Sequence, residues 1–370
     1  MTQNKKLPLT VKKDIQKNAA LGVIASLLWL GTLGYILMCA YSAAMTGLWA
    51  AAAAYSVLSI GLLWTFLPYV AFNCIEVYVN ATRQQQKYAK VDAIVSTTLS
   101  MFRLLRMQKS LAVASLLTRL GQTRILQGNF ESAENLFKEA MTCTAAIPGG
   151  QKSANMAMYT LNLASAYAWQ GKFVESEIET EKSLEILQKS NSPLAKRFEP
   201  HCLLLMGINR FRLNELDGAE ELLQSALDSL EKMNPSPEMP LLSIQTAKIS
   251  CYLYLSLLKI KQDTIPDSYV YYNKFFELLQ GSIAVAAITH IRAINYLAQE
   301  LLKIGDYKHA EDLINIAYEL SASAPFHPDS RETLAAYEKL LVATNRQSEI
   351  ADMRSWLLPI PQIATMQKND

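Results

Sequence analysis

What this sequence has least of is charge where a soluble chain would carry it. Of 370 residues, 35 are Lys or Arg and 33 are Asp or Glu, yet none of these, and no His, lies between Lys17 and Glu76. A net charge of +2, with bases and acids interleaved, argues against a nucleic-acid binder, which needs a concentrated basic face to neutralise phosphates. The five cysteines, Cys39, Cys74, Cys143, Cys202 and Cys251, are odd in number, widely spaced and form no CxxC pair. They read as buried reduced thiols rather than a disulfide framework or a zinc site.

Catalytic patterns are equally scarce. There is no HExxH, GxSxG, Walker loop or nucleotide-binding glycine fingerprint. The histidines, His201, His290, His309 and His327, are scattered, and His309 is expected to be exposed. The Glu220-Glu221 pair reads as solvated helix surface, and Gly149-Gly150 after Pro148 as a turn. The chain therefore reads as a non-enzyme, with no cofactor and no metal.

The charge-free stretch is too long for one membrane span, since about 20 apolar residues at about 1.5 Å per residue cross the hydrocarbon core. It divides into spans over about 19–41 and about 48–73, with a turn near 42–47. Pro68 is expected to kink the second. Aromatic residues stand near the expected interfaces: Tyr35, Tyr41 and Trp49 by the turn, Tyr69 and Tyr78 at the far end. A cleaved signal peptide competes with this reading, but the apolar run exceeds an ordinary h-region and a second span follows directly. Lys5, Lys6, Lys12, Lys13 and Lys17 precede the hairpin and Arg83, Lys87 and Lys90 follow it, which places both termini in the cytoplasm. The expectation is a multi-pass integral membrane protein. Because neither span holds an ionisable residue, the hairpin reads as an anchor, or a packing surface for another membrane subunit, and not as a pore. Residues 1–18 form the basic N-terminus and 76–110, with no Gly or Pro, read as a connecting helix rather than a flexible linker. The tail, 359–370, reads as disordered.

Residues 111–358 contain an internal repeat. Leu116–Ala140, Tyr159–Ser183 and Cys202–Ala226 align, each copy starting 43 residues after the one before. Gly121, Ala164 and Gly207 coincide. So do Gly128, Gly171 and Asn214, then Phe130, Phe173 and Leu216, then Ala133, Ser176 and Ala219, and finally Ala140, Ser183 and Ala226. A fourth copy carries Ala298, Gly305, Tyr307, Ala310 and Ala317. Phe137, Leu223 and Ile314 occupy an apolar position that the second copy fills with Thr180. Small residues belong where paired helices cross closely, and Gly or Asn suits the left-handed residue that ends the first helix. Each pair exposes apolar faces that only stacking buries. Two degenerate copies fit 241–280 and 330–358.

These residues resemble the tetratricopeptide repeat (TPR) family, with longer spacing than the usual repeat of about 34. The fold expected is all-α: a two-helix transmembrane hairpin followed by a TPR-like α-solenoid of about six helix pairs. The resemblance implies that the first helix of each pair lines a groove for peptides or helices. The matching positions are Thr118, Gln122, Ile125, Leu161, Ser165, Trp169, Leu204, Ile208, Arg212, Asn295, Gln299 and Lys303. Trp169 is either an interface anchor or packed against the next repeat. The Lys and Asn clamp with which some family members grip a C-terminal carboxylate is not visible at Gln122, Ser165, Ile208 and Gln299. The function expected is a membrane-anchored scaffold or assembly factor that recruits cytoplasmic proteins. Alternatives are an accessory subunit bound through its hairpin, or a regulatory receptor.

Overall fold

The computed structural model describes residues 88–104, 110–190, 193–236, 239, 241–279, 288–321 and 327–350, together with six isolated residues between Ile36 and Met45. Those six are helical. The rest of the expected hairpin, the start of the connecting helix and the tail lie outside the described residues.

The turn chemistry written in the repeats sets the architecture. Gly128, Gly171, Asn214 and Gly305 all have positive φ, between 66° and 81°. Each sits in the same doubly bonded helix end. The next residue's N–H reaches back to the third-last helical carbonyl: Asn129 to Arg124 (2.8 Å), Lys172 to Tyr167 (3.0 Å), Glu215 to Arg210 (2.9 Å) and Asp306 to Leu301 (2.9 Å). The positive-φ residue's own N–H bonds the carbonyl three residues back, which completes a Schellman motif. Asp263 (φ 59°) and Asn345 (φ 58°) end two further helices in the same way, with Thr264 bonded to Lys259 and Arg346 to Leu341. These are the turns of the two degenerate copies. Asp and Asn tolerate the left-handed region better than other non-glycine residues, so the copies keep the turn without its glycine.

Twelve α-helices are described: α1 (Tyr88–Leu104), α2 (Leu111–Leu126), α3 (Phe130–Ala145), α4 (Ala154–Trp169), α5 (Phe173–Lys189), α6 (Pro193–Arg212), α7 (Leu216–Glu231), α8 (Leu241–Lys261), α9 (Ile265–Leu279), α10 (Ile291–Lys303), α11 (Tyr307–Ser321) and α12 (Pro328–Ala343). Five helix pairs, α2/α3 to α10/α11, precede α12. The second helix of the expected sixth pair falls mostly outside the described residues. The long repeat period comes from α6 and α8, of 20 and 21 residues, and from the turn and 3-10 segment between α3 and α4.

The chain divides into two units. The first comprises residues up to 123 and 133–151, and holds α1 with most of α2 and α3. Here Gly121 permits the helix crossing: a Cβ at that position would lie 2.5 Å from Phe137 Cε1. The second unit comprises 124–132 and 152 onward. In it α4 packs on α5, α5 on α6, α6 on α7, α7 on α8 and α8 on α9, while α8, α10, α11 and α12 complete the stack. Gly207 plays the part of Gly121, because a Cβ there would meet Leu223 Cγ at 2.8 Å.

The small-residue register holds throughout. Ala133, Ser176, Ala219 and Ala310 are fully buried, as are Ala140, Ser183, Ala226 and Ala317, and so are Phe137, Thr180, Leu223 and Ile314. The second copy buries hydroxyls where the others bury methyl groups, and each hydroxyl is bonded. Ser183 donates to the Ala157 carbonyl (2.7 Å), Thr180 to the Ser176 carbonyl (2.7 Å), and Ser176 accepts from Asn209 Nδ2 (2.8 Å). An unbonded hydroxyl there would cost about 1–3 kcal/mol.

Among the described residues one helix, α8, is long and apolar enough to cross a membrane. It is the central core helix of the second unit, with Ile249, Cys251, Leu253, Leu255, Leu257 and Leu258 buried. Two surface expectations are corrected. Glu220 does not simply face water: it accepts from Lys259 Nζ (2.5 Å) and Gln262 Nε2 (3.0 Å), two residues of the next pair. His309 is half-buried rather than exposed, with Nδ1 2.7 Å from Asp306 Oδ2 and its ring against Tyr269 and Tyr272.

Candidate partner-binding site

The expected groove residues divide by environment. Thr118 and Gln122 belong to the first unit, where Thr118 is buried and donates to the Ala114 carbonyl (2.8 Å). Gln122 is half-buried. In the second unit Ile125 and Leu204 are buried, and Ile208 packs half-buried on the main core. Leu161 packs on a smaller cluster around Ala157 and Cys202. Ser165 is half-buried and turns its hydroxyl back to the Leu161 carbonyl (3.0 Å). Gln299 is half-buried, and Lys303 is exposed beside Glu300 (2.9 Å). None of these gathers into a cluster.

Trp169, Arg212 and Asn295 do converge, because three helix ends meet. Trp169 closes α4, Arg212 closes α6, and Asn295 lies in the second turn of α10. The Trp169 ring stacks on Phe130 (centroids 5.7 Å, 18° between planes) and meets His327 edge-on (5.7 Å, 88°). Arg292 lies over the same indole, its Cζ 4.2 Å from the ring centroid, and its Nη1 donates to the Trp169 carbonyl (3.4 Å). Besides Phe130 of the preceding pair, Trp169 thus meets Arg292 of α10 and His327 just before α12, more than a hundred residues along the chain. Arg212 lies over two rings, Phe173 (5.0 Å) and Tyr296 (4.5 Å). Asn295 is fully buried, so it holds the scaffold instead of meeting a partner: its Nδ2 donates to the Asp329 carbonyl (3.0 Å), and its Oδ1 accepts from Thr333 (3.1 Å).

The start of α12 supplies the charged part. His327 is the N-cap, its Nδ1 accepting the Asp329 N–H (3.3 Å), and Pro328 at the first helical position fits the fixed φ it needs. Pro328 also rests on the turn at Gly128, where a Cβ would lie 2.4 Å from its Cδ. Asp329 is buried, with Oδ1 accepting from Arg292 Nε (3.1 Å). Its Oδ2 has no hydrogen-bond partner and lies 3.6 Å from His327 Nδ1. Burial holds the His327 imidazole below its ordinary pKa, against the opposing pull of Asp329. The ring is therefore neutral at pH 7, in keeping with an Nδ1 that accepts. Burial pushes the Tyr254 phenol up to about 12, while Arg212 and Arg292 both pull it back. Glu332 is open to water on one side, but the crowding of the site, and then Asp329, hold its carboxyl above the usual range. Both arginines act on it in the opposite sense.

The repeat register does not mark Phe130, Phe173, Arg292, Tyr296, His327, Asp329 or Glu332 as groove residues. Phe130 and Phe173 carried a signal, since they are the turn aromatics of the repeat. His327 and Asp329 carried only a local one, a capping residue before Pro328.

No family model matches this chain, and no curated protein does. Solved structures do resemble it. A Rap protein complexed with Competence and Sporulation Factor is 13% identical, covers 88% of this chain and 86% of its own, and superposes with a TM-score of 0.57. The apo form of RapI is 14% identical, covers 77% of this chain and 98% of its own, with a TM-score of 0.50. At these identities the likeness shows the fold alone: an all-helical, TPR-like repeat protein.

Proposed function

We propose that this chain is a binding protein rather than an enzyme. Its second unit holds a segment of a partner protein against the surface around Trp169 and Arg212, and its N-terminal hairpin anchors it in a membrane. The carrying observation is the convergence of half-buried aromatic and guanidinium side chains from α4, α5, α6 and α10, the residue types that dominate protein interfaces. A fold shared with a Rap protein that was solved with a bound factor supports the same reading by analogy. Membrane anchoring rests on the charge-free stretch and its lysine flanks. On this reading the chain is a scaffold or assembly factor that recruits partners on the cytoplasmic side.

The test is brief crosslinking of the tagged full-length protein in membranes, gentle solubilisation and identification of what co-purifies, beside Arg212→Ala and beside the hairpin with the repeats deleted. A soluble partner lost in both variants supports the scaffold. Membrane proteins retained by the hairpin alone refute it and make the chain an accessory subunit held through its spans. Topology reporters fused to each terminus test the anchor: a signal from the far side of the membrane at either end would overturn the orientation.

A further inference from the structure

Three arginines of the second unit are matched to acids, and Arg197 donates to the Asn234 carbonyl (3.0 Å). Arg210 bonds Glu177 (3.0 Å), Arg292 bonds Asp329 (3.1 Å), and Arg346 reaches Glu311 (2.5 Å) and Glu349 (2.9 Å). Arg331 is exposed, whereas Arg212 is half-buried, and the Arg212 guanidinium has no carboxylate oxygen within 4.0 Å and no hydrogen-bond acceptor among the described residues. It is nevertheless held in place. The rings of Phe173 and Tyr296 lie against it but offer no oxygen or nitrogen acceptor to its five N–H donors. Nor is it spent on capping α6, because turn N–H groups already satisfy the last helical carbonyls: Leu213 bonds Asn209 (2.9 Å), Asn214 bonds Phe211 (3.1 Å) and Glu215 bonds Arg210 (2.9 Å).

A rigid, partly desolvated fork with unsatisfied donors matches one kind of ligand group, a planar oxyanion gripped by two parallel hydrogen bonds. The surrounding charges narrow the choice. Asp329 is committed to Arg292, Glu332 stands nearby without pairing, His327 is neutral and Tyr254 is a buried phenol. Glu332, within electrostatic reach of Arg212, would repel a phosphate, which carries nearly two negative charges, more strongly than a group carrying one. We infer that Arg212 is the receptor for a single carboxylate of a partner peptide, either its C-terminus or an Asp or Glu side chain. This rests on the peptide-binding reading above and assigns that surface its ligand chemistry.

The test uses the full-length protein in detergent micelles and a synthetic library of random peptides. Each peptide is made with a free C-terminal carboxylate and as the amide, with and without Asp and Glu. Peptides selected by the wild type are expected to share one carboxylate whose neutralisation weakens binding about 10- to 100-fold, the strength of a hydrogen-bonded charge. Loss on amidation identifies the C-terminus, and loss on Asp→Asn or Glu→Gln identifies the side chain. Arg212→Gln is expected to bind the carboxylate and neutral forms within about twofold of each other, a difference well below one charged hydrogen bond. Arg212→Lys, which keeps the charge but not the fork, should fall between them; should Arg212→Gln lose its helical signal, Arg212→Lys decides. A wild type that binds peptides without regard to carboxylates, or a variant that keeps the full preference, overturns the inference and leaves the binding surface standing. A wild type that binds no peptide overturns both.

Discussion

Arg292 should matter more to stability than its place near the surface suggests. It is the counter-ion of Asp329, whose side chain is 1% exposed against 17% for Arg292, and it also covers the Trp169 indole. Arg292→Met keeps the stem that packs and removes the charge. Asp329 would then be a buried carboxylate with neither oxygen paired, since its Oδ2 already lacks a partner. Breaking a buried pair from one side costs about 3–5 kcal/mol, and the lost cation–π contact adds about 0.5–2 kcal/mol. The positive end of α12 offsets about 0.3–1 kcal/mol, because Asp329 lies in its first turn. A net loss of about 3–6 kcal/mol remains, which for a unit of this size lowers the melting temperature by about 6–24 °C. Thermal melting of the full-length protein, followed by far-UV circular dichroism, measures it. Arg292→Met with Asp329→Asn removes both charges and should recover most of the loss, which makes the two substitutions strongly non-additive. A single variant that melts within about 2 °C of wild type, under one kcal/mol on that scale, would refute the reasoning. So would a double variant no better than Arg292→Met.

Gly207→Ala drives a methyl group to 2.8 Å from Leu223 Cγ and 3.2 Å from its backbone N, so a destabilisation of about 1–3 kcal/mol is expected in the same melts. At Gly171, where φ is +79° and nothing lies within 4 Å of the added Cβ, Asn should be nearly neutral because Asn214 already serves the equivalent turn at φ 66°. Val there should cost about 1–2 kcal/mol, the ordinary penalty of a left-handed L-residue, and equal melts for the two would contradict the Schellman assignment. Burial lowers His201 from 6.5 to about 4, against a weaker opposing pull from the Arg197 backbone, and His327 shifts the same way. The folded state keeps both neutral while the unfolded chain takes up protons. Their contributions are therefore intact above pH 6.5 and are lost as pH falls below it, that of His201 by up to about 3 kcal/mol as pH nears about 4. Melting temperatures of wild type and His201→Gln should converge over that interval, and parallel curves would rule the linkage out.

The sequence alone determined the repeat. Its glycines, asparagine, small residues and turn aromatics stand at fixed spacing because each answers a local demand: a left-handed helix end, a close helix crossing, a ring to fill it. Such demands repeat with every pair, so they leave a period in the chain. Even the degenerate copies kept theirs, at Asp263 and Asn345, where a side chain tolerant of positive φ replaces glycine. The charge-free stretch speaks of solvent rather than of contacts, and the anchor proposed for it lies almost wholly outside the described residues. The candidate site was not legible in this way. Its position depends on Trp169 meeting Arg292 and His327, and on Arg212 meeting Tyr296, pairs that no period relates. Asn295 shows the limit: repeat register places it on the helix face that lines the groove, yet tertiary packing buries it against α12. Which cations are neutralised and which are left with free donors depends on how successive pairs are rotated against one another. That rotation is the sum of many small packing terms, so only the tertiary structure distinguishes Arg292, spent on Asp329, from Arg212, still unpaired.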